Sequence, residues 1–195
     1  IKEKGIKDYI EAAKIIKIKY PEKNFFIAGP INQSVIGQSK FDKGTLALIK
    51  KNENYIEYLG FIKDYKDIFP KMDCLISPSF SEGAGTSVME AMVSGLHVIT
   101  YNNSGHNYVL KNTENQICKI NSVQHLVQNI EKYINIPNIK NIYNKKNSYK
   151  KILNNFSAKI IAKRFNIILD LLYKVSKEKI DVVWPYYKDE KFLDA

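Results

Sequence analysis

Two carboxylates, Glu82 and Glu90, stand with seven residues between them, and a run of small residues, Gly83-Ala84-Gly85-Thr86-Ser87, follows the first. The apolar run Cys74-Leu75-Ile76 just upstream reads as a buried strand, and Thr86 to Ser94 as a short helix packed through Val88, Met89 and Met92. A strand that ends in a small-residue loop and opens into a helix is suited to anions. The first N–H groups of the helix have no internal partners, and its dipole adds partial positive charge there. Gly83 and Gly85 carry no Cβ, so a phosphate can come close to the backbone. Glu82 and Glu90 would repel that phosphate, so they are expected beside it, accepting from hydroxyls. A ligand with a diphosphate in its middle and hydroxyl-rich groups at both ends fits, and a nucleotide sugar is one.

The elements that must position this stretch alternate in type. Gly5–Tyr20 reads as an amphipathic helix with Ile6, Tyr9, Ile10, Ala13, Ile16 and Tyr20 on one face, ended by Pro21. Phe25–Ala28 is a short apolar strand, Ile31–Gly44 a loop, Thr45–Lys51 a helix, and Tyr55–Leu59 a strand from which Gly60-Phe61 turns out. Asp64–Lys71 is one or two helical turns with Asp64 at the N-cap. Leu96–Thr100 and Gln116–Ile120 read as strands, and Ser104–Leu110 and Ser122–Ile134 as helices. Alternation with short connections predicts an α/β fold, a parallel sheet with helices on both faces. Ligands of such sheets bind outside the carboxyl ends of the strands, where Ser77–Gly85 falls. The expected division is a domain over residues 1–136, two helices within 137–180 packing on it, and an irregular tail at 181–195 carrying Trp184, Tyr186 and Tyr187. The second of those helices, Ser157–Lys177, has Ile160, Ile161, Phe165, Ile168, Leu169 and Leu172 as its apolar stripe.

Composition narrows the class. With 45% hydrophobic residues in 195, the chain can bury one core, and no apolar run is long enough for a bilayer. Cys74 and Cys118 lie in strand-like runs with no CxxC, which fits reduced, buried thiols of a cytosolic protein. The net charge of +10 comes from lysines spread along the chain, with one arginine, Arg164. Such a surface suits a nucleotide or anionic lipid; no nucleic-acid-binding motif is present, so specific nucleic-acid recognition is not expected. His125 has no Cys, His or Asp partner at ligand spacing, so no metal site is expected. His97, inside an apolar strand, reads as core.

Four ordered segments, over Ile1 to about Ile134, resemble the family-four retaining glycosyltransferases, which pair two Rossmann-like domains in the GT-B arrangement. The first is Glu82-x7-Glu90, with Gly83 after one carboxylate and Ala91-Met92-x-x-Gly95-x-x-Val98-Ile99 after the other. Lys4-Gly5 with Asp8-Tyr9-Ile10-Glu11-Ala12-Ala13 resembles the lysine that opens the domain's first helix. Phe26-Ile27-Ala28-Gly29 is similar to the second strand, and Tyr58-Leu59-Gly60-Phe61-Ile62 to the strand and turn at the base. The resemblance implies the C-terminal, donor-binding half of a GT-B enzyme, with the N-terminal acceptor domain absent from this chain. It implies that Lys4 pairs with the donor diphosphate and that Gly85, Thr86 and Ser87 offer backbone N–H groups to it. Glu90 would accept from the ribose hydroxyls, Glu82 would contact the transferred sugar, and Phe61 and Ile62 would frame the base. The reaction would move a sugar from a UDP-sugar, with GDP-sugar the competitor, to a glycan or lipid-linked acceptor in bacterial surface polysaccharide or glycolipid synthesis. No metal or other cofactor is implied, and the place would be the cytoplasm or the inner face of its membrane. The fragment alone is expected to bind donor with little turnover.

The sequence departs from the family where Tyr108 stands for a Glu after Asn103-Ser104-Gly105-His106, and at Asn112-Thr113-Glu114-Asn115, where relatives have a Gly-rich turn. His106 reads as a solvent-exposed histidine, with donation to a phosphate oxygen as the alternative. Three other functions stay open: a sugar-nucleotide 2-epimerase of the same fold, a nicotinamide-dependent dehydrogenase, and a non-catalytic basic domain at a membrane surface. The dehydrogenase is weakened because Val88 stands where the third Gly of its fingerprint should be.

Overall fold

Residues 4–30 and 42–176 are described by the structure, a computed structural model. In chain order it runs α1 (Ile6–Lys19), β1 (Phe26–Ala28), α2 (Lys43–Lys51), β2 (Glu57–Gly60), 3-10 turns at Tyr65–Asp67 and Phe69–Lys71, β3 (Cys74–Ser77), α3 (Thr86–Val93), β4 (His97–Tyr101), α4 (Ser104–Leu110), β5 (Gln116–Cys118), α5 (Val123–Ile134), α6 (Asn138–Phe156) and α7 (Ala158–Ser176). The chain divides into two compact units, Ile1–Asn154 and Asn155–Ala195. Most of the expected loop Ile31–Gly44 and the whole of the 181–195 tail lie outside the described residues.

Every strand pairing is parallel, as the alternation predicts, and each strand is reached through a crossover that carries helix. The pairing falls into two sheets, β1-β2 and β3-β4-β5, where one was expected. At β1 the carbonyl of Phe25 accepts from the N–H of Glu57 at 2.9 Å. Backbone direction alternates along a strand, so the groups of Phe26 face away from β2. Tyr9 of α1 takes both: its hydroxyl donates to the Phe26 carbonyl at 2.9 Å and accepts from the Phe26 N–H at 3.1 Å. Burial pushes the pKa of that hydroxyl far above its ordinary value.

Side-chain caps start several of the helical segments. Asp64 accepts from the N–H of Lys66 at 2.9 Å, the cap expected above, and Ser122, the residue before α5, accepts from that of His125 at 3.2 Å. At α2 the Asp42 carboxylate accepts from the N–H of Thr45 at 2.6 Å, which starts the helix at Lys43 and not at Thr45. Asp42 is an N-cap residue by type, and the reading of 31–44 as loop passed over it.

The core joins α1, β4 and α5 through Ile10, Ala13, Ile16, Ile99, Tyr101, Leu126 and Ile130. All five residues of β4 are buried, as a strand covered on both faces must be. Cys118 is a buried free thiol; Cys74 is free and half-buried. In the second unit, α7 leaves Ile161, Phe165 and Ile168 of its apolar stripe exposed. Among the described residues, no helix is long and apolar enough to cross a membrane.

His97 is in the core, stacked on Tyr133 with ring centroids 4.6 Å apart. Burial, helped by the charge of Lys145, lowers its pKa to about 4. The folded state therefore holds the neutral ring while the unfolded chain takes up a proton below its ordinary pKa of about 6.5. Stability from this residue is complete above that pH and is lost as pH falls toward about 4. Denaturant titrations at pH 7 and pH 4.5, on wild type and His97→Phe, should show roughly 2–3 kcal/mol of pH dependence that only wild type has.

Candidate functional site

The loop that carries Glu82 leaves β3 at Ser77, and the N-termini of three helices meet it. At α1, Gly5 has φ 66, and a Cβ there would overlap the carbonyl oxygen of Pro78. At α4, the Asn103 amide donates to the Ser79 carbonyl at 2.9 Å, and a Cβ on Gly105 would overlap the carbonyl oxygen of Gly83. At α3, Gly85 is the N-cap, with φ 62. The side chain of Phe80 stacks on Tyr101, centroids 5.8 Å apart, and the Tyr101 hydroxyl donates to Asp8 at 2.7 Å. One aromatic pair thus ties the loop to β4 and α1.

Of the expected site residues, the structure brings Lys4 and Glu82 together, Nζ to Oε1 at 2.6 Å. No side chain caps α3, and Val88 is the first residue whose N–H returns to the helix, to Gly85 at 2.9 Å. The N–H groups of Thr86 and Ser87 precede that bond and have no acceptor within the helix. Gly83 has open space where a Cβ would stand, so neither packing nor φ demands glycine there. Glu90, one turn along α3, makes no hydrogen bond or ion pair with any described residue. Burial, and then the charge of Asp64, push its carboxyl pKa above the ordinary carboxylate value. Its charge also acts on Tyr65, whose pKa is raised first by burial, so Glu90 faces the 3-10 turn after β2. Phe61, 39% exposed, and half-buried Ile62 follow Gly60, which has φ 75.

His106 corrects the expectation of an exposed histidine: it is fully buried in the first turn of α4. The cap explains it, because Asn103 accepts from the His106 N–H at 2.9 Å and turns the ring toward Gly85. The spacing of an Asn three residues before His106 was the available signal. The Asn112–Asn115 departure is structural. Asn112 takes φ 61, which Asn tolerates better than most side chains. Asn115 accepts from the Val98 N–H at 2.8 Å and donates to Ser148 at 2.9 Å.

An open depression of about 410 Å³ lies elsewhere, lined by Asn102, Ile117, Cys118, Lys119, Ile120 and His125, and none of the expected site residues borders it. Its lining offers one histidine and one lysine; the Glu82 loop has a cation, an uncapped helix end and two carboxylates. The loop is therefore the candidate site.

A parallel α/β unit with an anion-ready loop at a strand's carboxyl end is the architecture of one half of a GT-B glycosyltransferase. The chain belongs to the glycosyl transferases group 1 family, whose model matches residues 1–151. It is 27% identical, over 137 residues, to the putative glycosyltransferase EpsD of Bacillus subtilis, covering 70% of this chain and 34% of that protein. It therefore spans about a third of that relative's length. Among solved structures it resembles the C-terminal domain of a glycosyl transferase group 1 family protein, LpcC, from Francisella tularensis, at TM-score 0.64 and 23% identity, covering 81% of this chain and 82% of that one. It also resembles HepE of Anabaena, solved with UDP and glucose, at TM-score 0.71 and 19% identity over 88% of this chain and 46% of that one.

Proposed function

We propose that this chain is the donor-binding half of a retaining, metal-independent, family-four glycosyltransferase that uses a UDP-sugar. The observation that carries the reading is Lys4 beside Glu82 at 2.6 Å, next to an α3 N-terminus that no side chain caps. A diphosphate draws Lys4 away from Glu82 and lies on the N–H groups of Thr86 and Ser87. Glu82, released, accepts from hydroxyls of the transferred sugar, and Glu90, which has no hydrogen-bond or ion-pair partner among the described residues, accepts from the ribose. As the sugar departs, negative charge grows on the diphosphate, and the lysine and the helix end stabilise it there. The acceptor, a glycan or a lipid-linked sugar, comes from the other side of the cleft. Half of an interdomain site is an open face that the other half completes. Uridine is preferred to guanosine because the Anabaena neighbour holds UDP.

Thermal unfolding with UDP, GDP, their sugar conjugates and NAD tests this. A ligand at about 100 times its dissociation constant adds about 2.7 kcal/mol, which raises the midpoint of a domain of this size by roughly 5–10 °C. A shift with UDP and UDP-sugars is expected. A shift with NAD alone would replace the reading with a dehydrogenase. Formation of an epimerised sugar nucleotide from a UDP-sugar without acceptor would replace it with an epimerase. Salt-sensitive binding to anionic vesicles without any nucleotide shift would leave a membrane-surface domain.

A further inference from the structure

His106 is a buried polar group that the reading above leaves unused. Its ring lies against the N-cap of α3: Cδ2 and Nε2 would stand 3.0 and 3.1 Å from a Cβ on Gly85. The position of its proton follows from Asn103. That side chain accepts from the His106 N–H at 2.9 Å and donates to the Ser79 carbonyl at 2.9 Å, which fixes which end of the amide is oxygen. The remaining contact, amide nitrogen to His106 Nδ1 at 2.9 Å, is then a donation to Nδ1. The neutral ring therefore carries its hydrogen on Nε2. That atom is buried and meets no acceptor in hydrogen-bond geometry among the described residues, although the Tyr101 carbonyl also acts on the ring. A buried donor without an acceptor opposes folding, and an acceptor arriving at the first turn of α3 relieves the cost.

Resting on the donor-site reading, we propose that His106 is a ligand-binding residue, whose Nε2–H donates to a phosphoryl oxygen of the nucleoside diphosphate seated on the N-terminus of α3. Gly85 is what permits it: with φ 62 and no Cβ, the N-cap lets the imidazole lie against the helix end. Glu82 and Lys4 are the charges that act on the ring, so a phosphate that takes Lys4 from Glu82 arrives next to it. Burial outweighs the Glu82 carboxylate and holds the ring's pKa below its ordinary value, which keeps His106 a neutral donor at neutral pH.

The test is calorimetric titration of UDP, GDP and the two nucleosides into wild type, His106→Asn and His106→Gln. Asn offers a polar atom at the Nδ1 position and none at Nε2, whereas the Gln amide reaches the Nε2 position. His106→Asn should weaken the diphosphate about 10-fold or more and leave the nucleoside unchanged, and His106→Gln should recover most of the loss. Diphosphate affinity of His106→Asn within twofold of wild type, or an equal loss for the nucleoside, overturns the proposal. Imidazole NMR of wild type decides independently of how the variants fold. Saturating diphosphate should move the Nε2–H resonance while the nucleoside does not, and an unmoved resonance in a protein that binds diphosphate overturns it. Wild type that binds neither diphosphate overturns the donor-site reading itself; binding in which His106 is indifferent overturns this inference alone.

Discussion

Glu90→Ala should weaken UDP binding about 100-fold and leave the free protein as stable as wild type or slightly more so. The two halves of that result have one cause. Glu90 is half-buried, has no hydrogen bond or ion pair with any described residue, and has its pKa raised by burial and then by the charge of Asp64. A carboxylate in that position opposes folding when ionised, so removing it costs the fold nothing. Two ribose hydroxyls donating to it would each contribute about 1.5–3 kcal/mol to binding, less than additively, which sets the 100-fold scale. The pH dependence has a definite sign. A raised carboxyl pKa means that the folded state favours the protonated form. Its contribution is present below the ordinary carboxylate pKa of about 4.3 and is lost as pH rises through the higher folded value. Glu90→Gln should therefore melt above wild type at pH 7, by up to about 2 °C, and match it near pH 4. Isothermal titration measures the first effect and melts at two pH values the second. A Glu90→Ala protein that binds UDP normally but melts far below wild type would make Glu90 structural.

The elements with a strong period were legible: α1 from its apolar stripe, β4 from its continuous apolar run, α5 from its amphipathic period and the Ser122 cap. Boundaries moved where a cap was overlooked, as at Asp42, or where a strand ended earlier than its apolar run, as at β5, which stops at Cys118. Type and spacing placed Glu82, Gly85 and Glu90 on one loop and one helix, because those positions are local in sequence. The Lys4–Glu82 pair joins residues 78 positions apart, and nothing in the sequence pointed to it; the resemblance singled out each residue but set Lys4 against the donor diphosphate. His106 escaped for a physical reason. Whether a histidine next to a turn is exposed depends on which way its cap turns the ring and on what lies opposite, here Gly85, and neither is a property of the residue itself. The split between β1-β2 and β3-β4-β5 depends on backbone pairing, to which apolar periodicity is blind.

Three glycines separate holding the loop in shape from leaving room for a ligand. Gly5 and Gly105 let two helix N-termini press backbone to backbone on the loop, at Pro78 and at Glu82–Gly83. Alanine at either position overlaps a carbonyl oxygen that no side-chain rotation can move. At Gly5 it is also held at φ 66. Overpacking costs about 1–3 kcal/mol at either position and left-handed strain adds about 1–2 kcal/mol at Gly5, so Gly105→Ala should melt roughly 2–12 °C and Gly5→Ala roughly 5–15 °C below wild type, and both should lose UDP affinity because Glu82 is displaced. Gly83 differs: a Cβ there meets nothing within 4 Å, and its φ is not left-handed. Gly83→Ala restricts the unfolded chain and should stabilise the protein by about 0.4–1 kcal/mol. The space that the new methyl enters is where the proposed diphosphate approaches, so the same variant should bind UDP at least about 10-fold more weakly, the scale of one lost hydrogen bond to a charged group. A Gly83→Ala protein that is more stable and binds less tightly shows that the opening serves the ligand. One that is more stable and binds equally well moves the diphosphate away from Gly83, toward the helix end that Gly85 and His106 share.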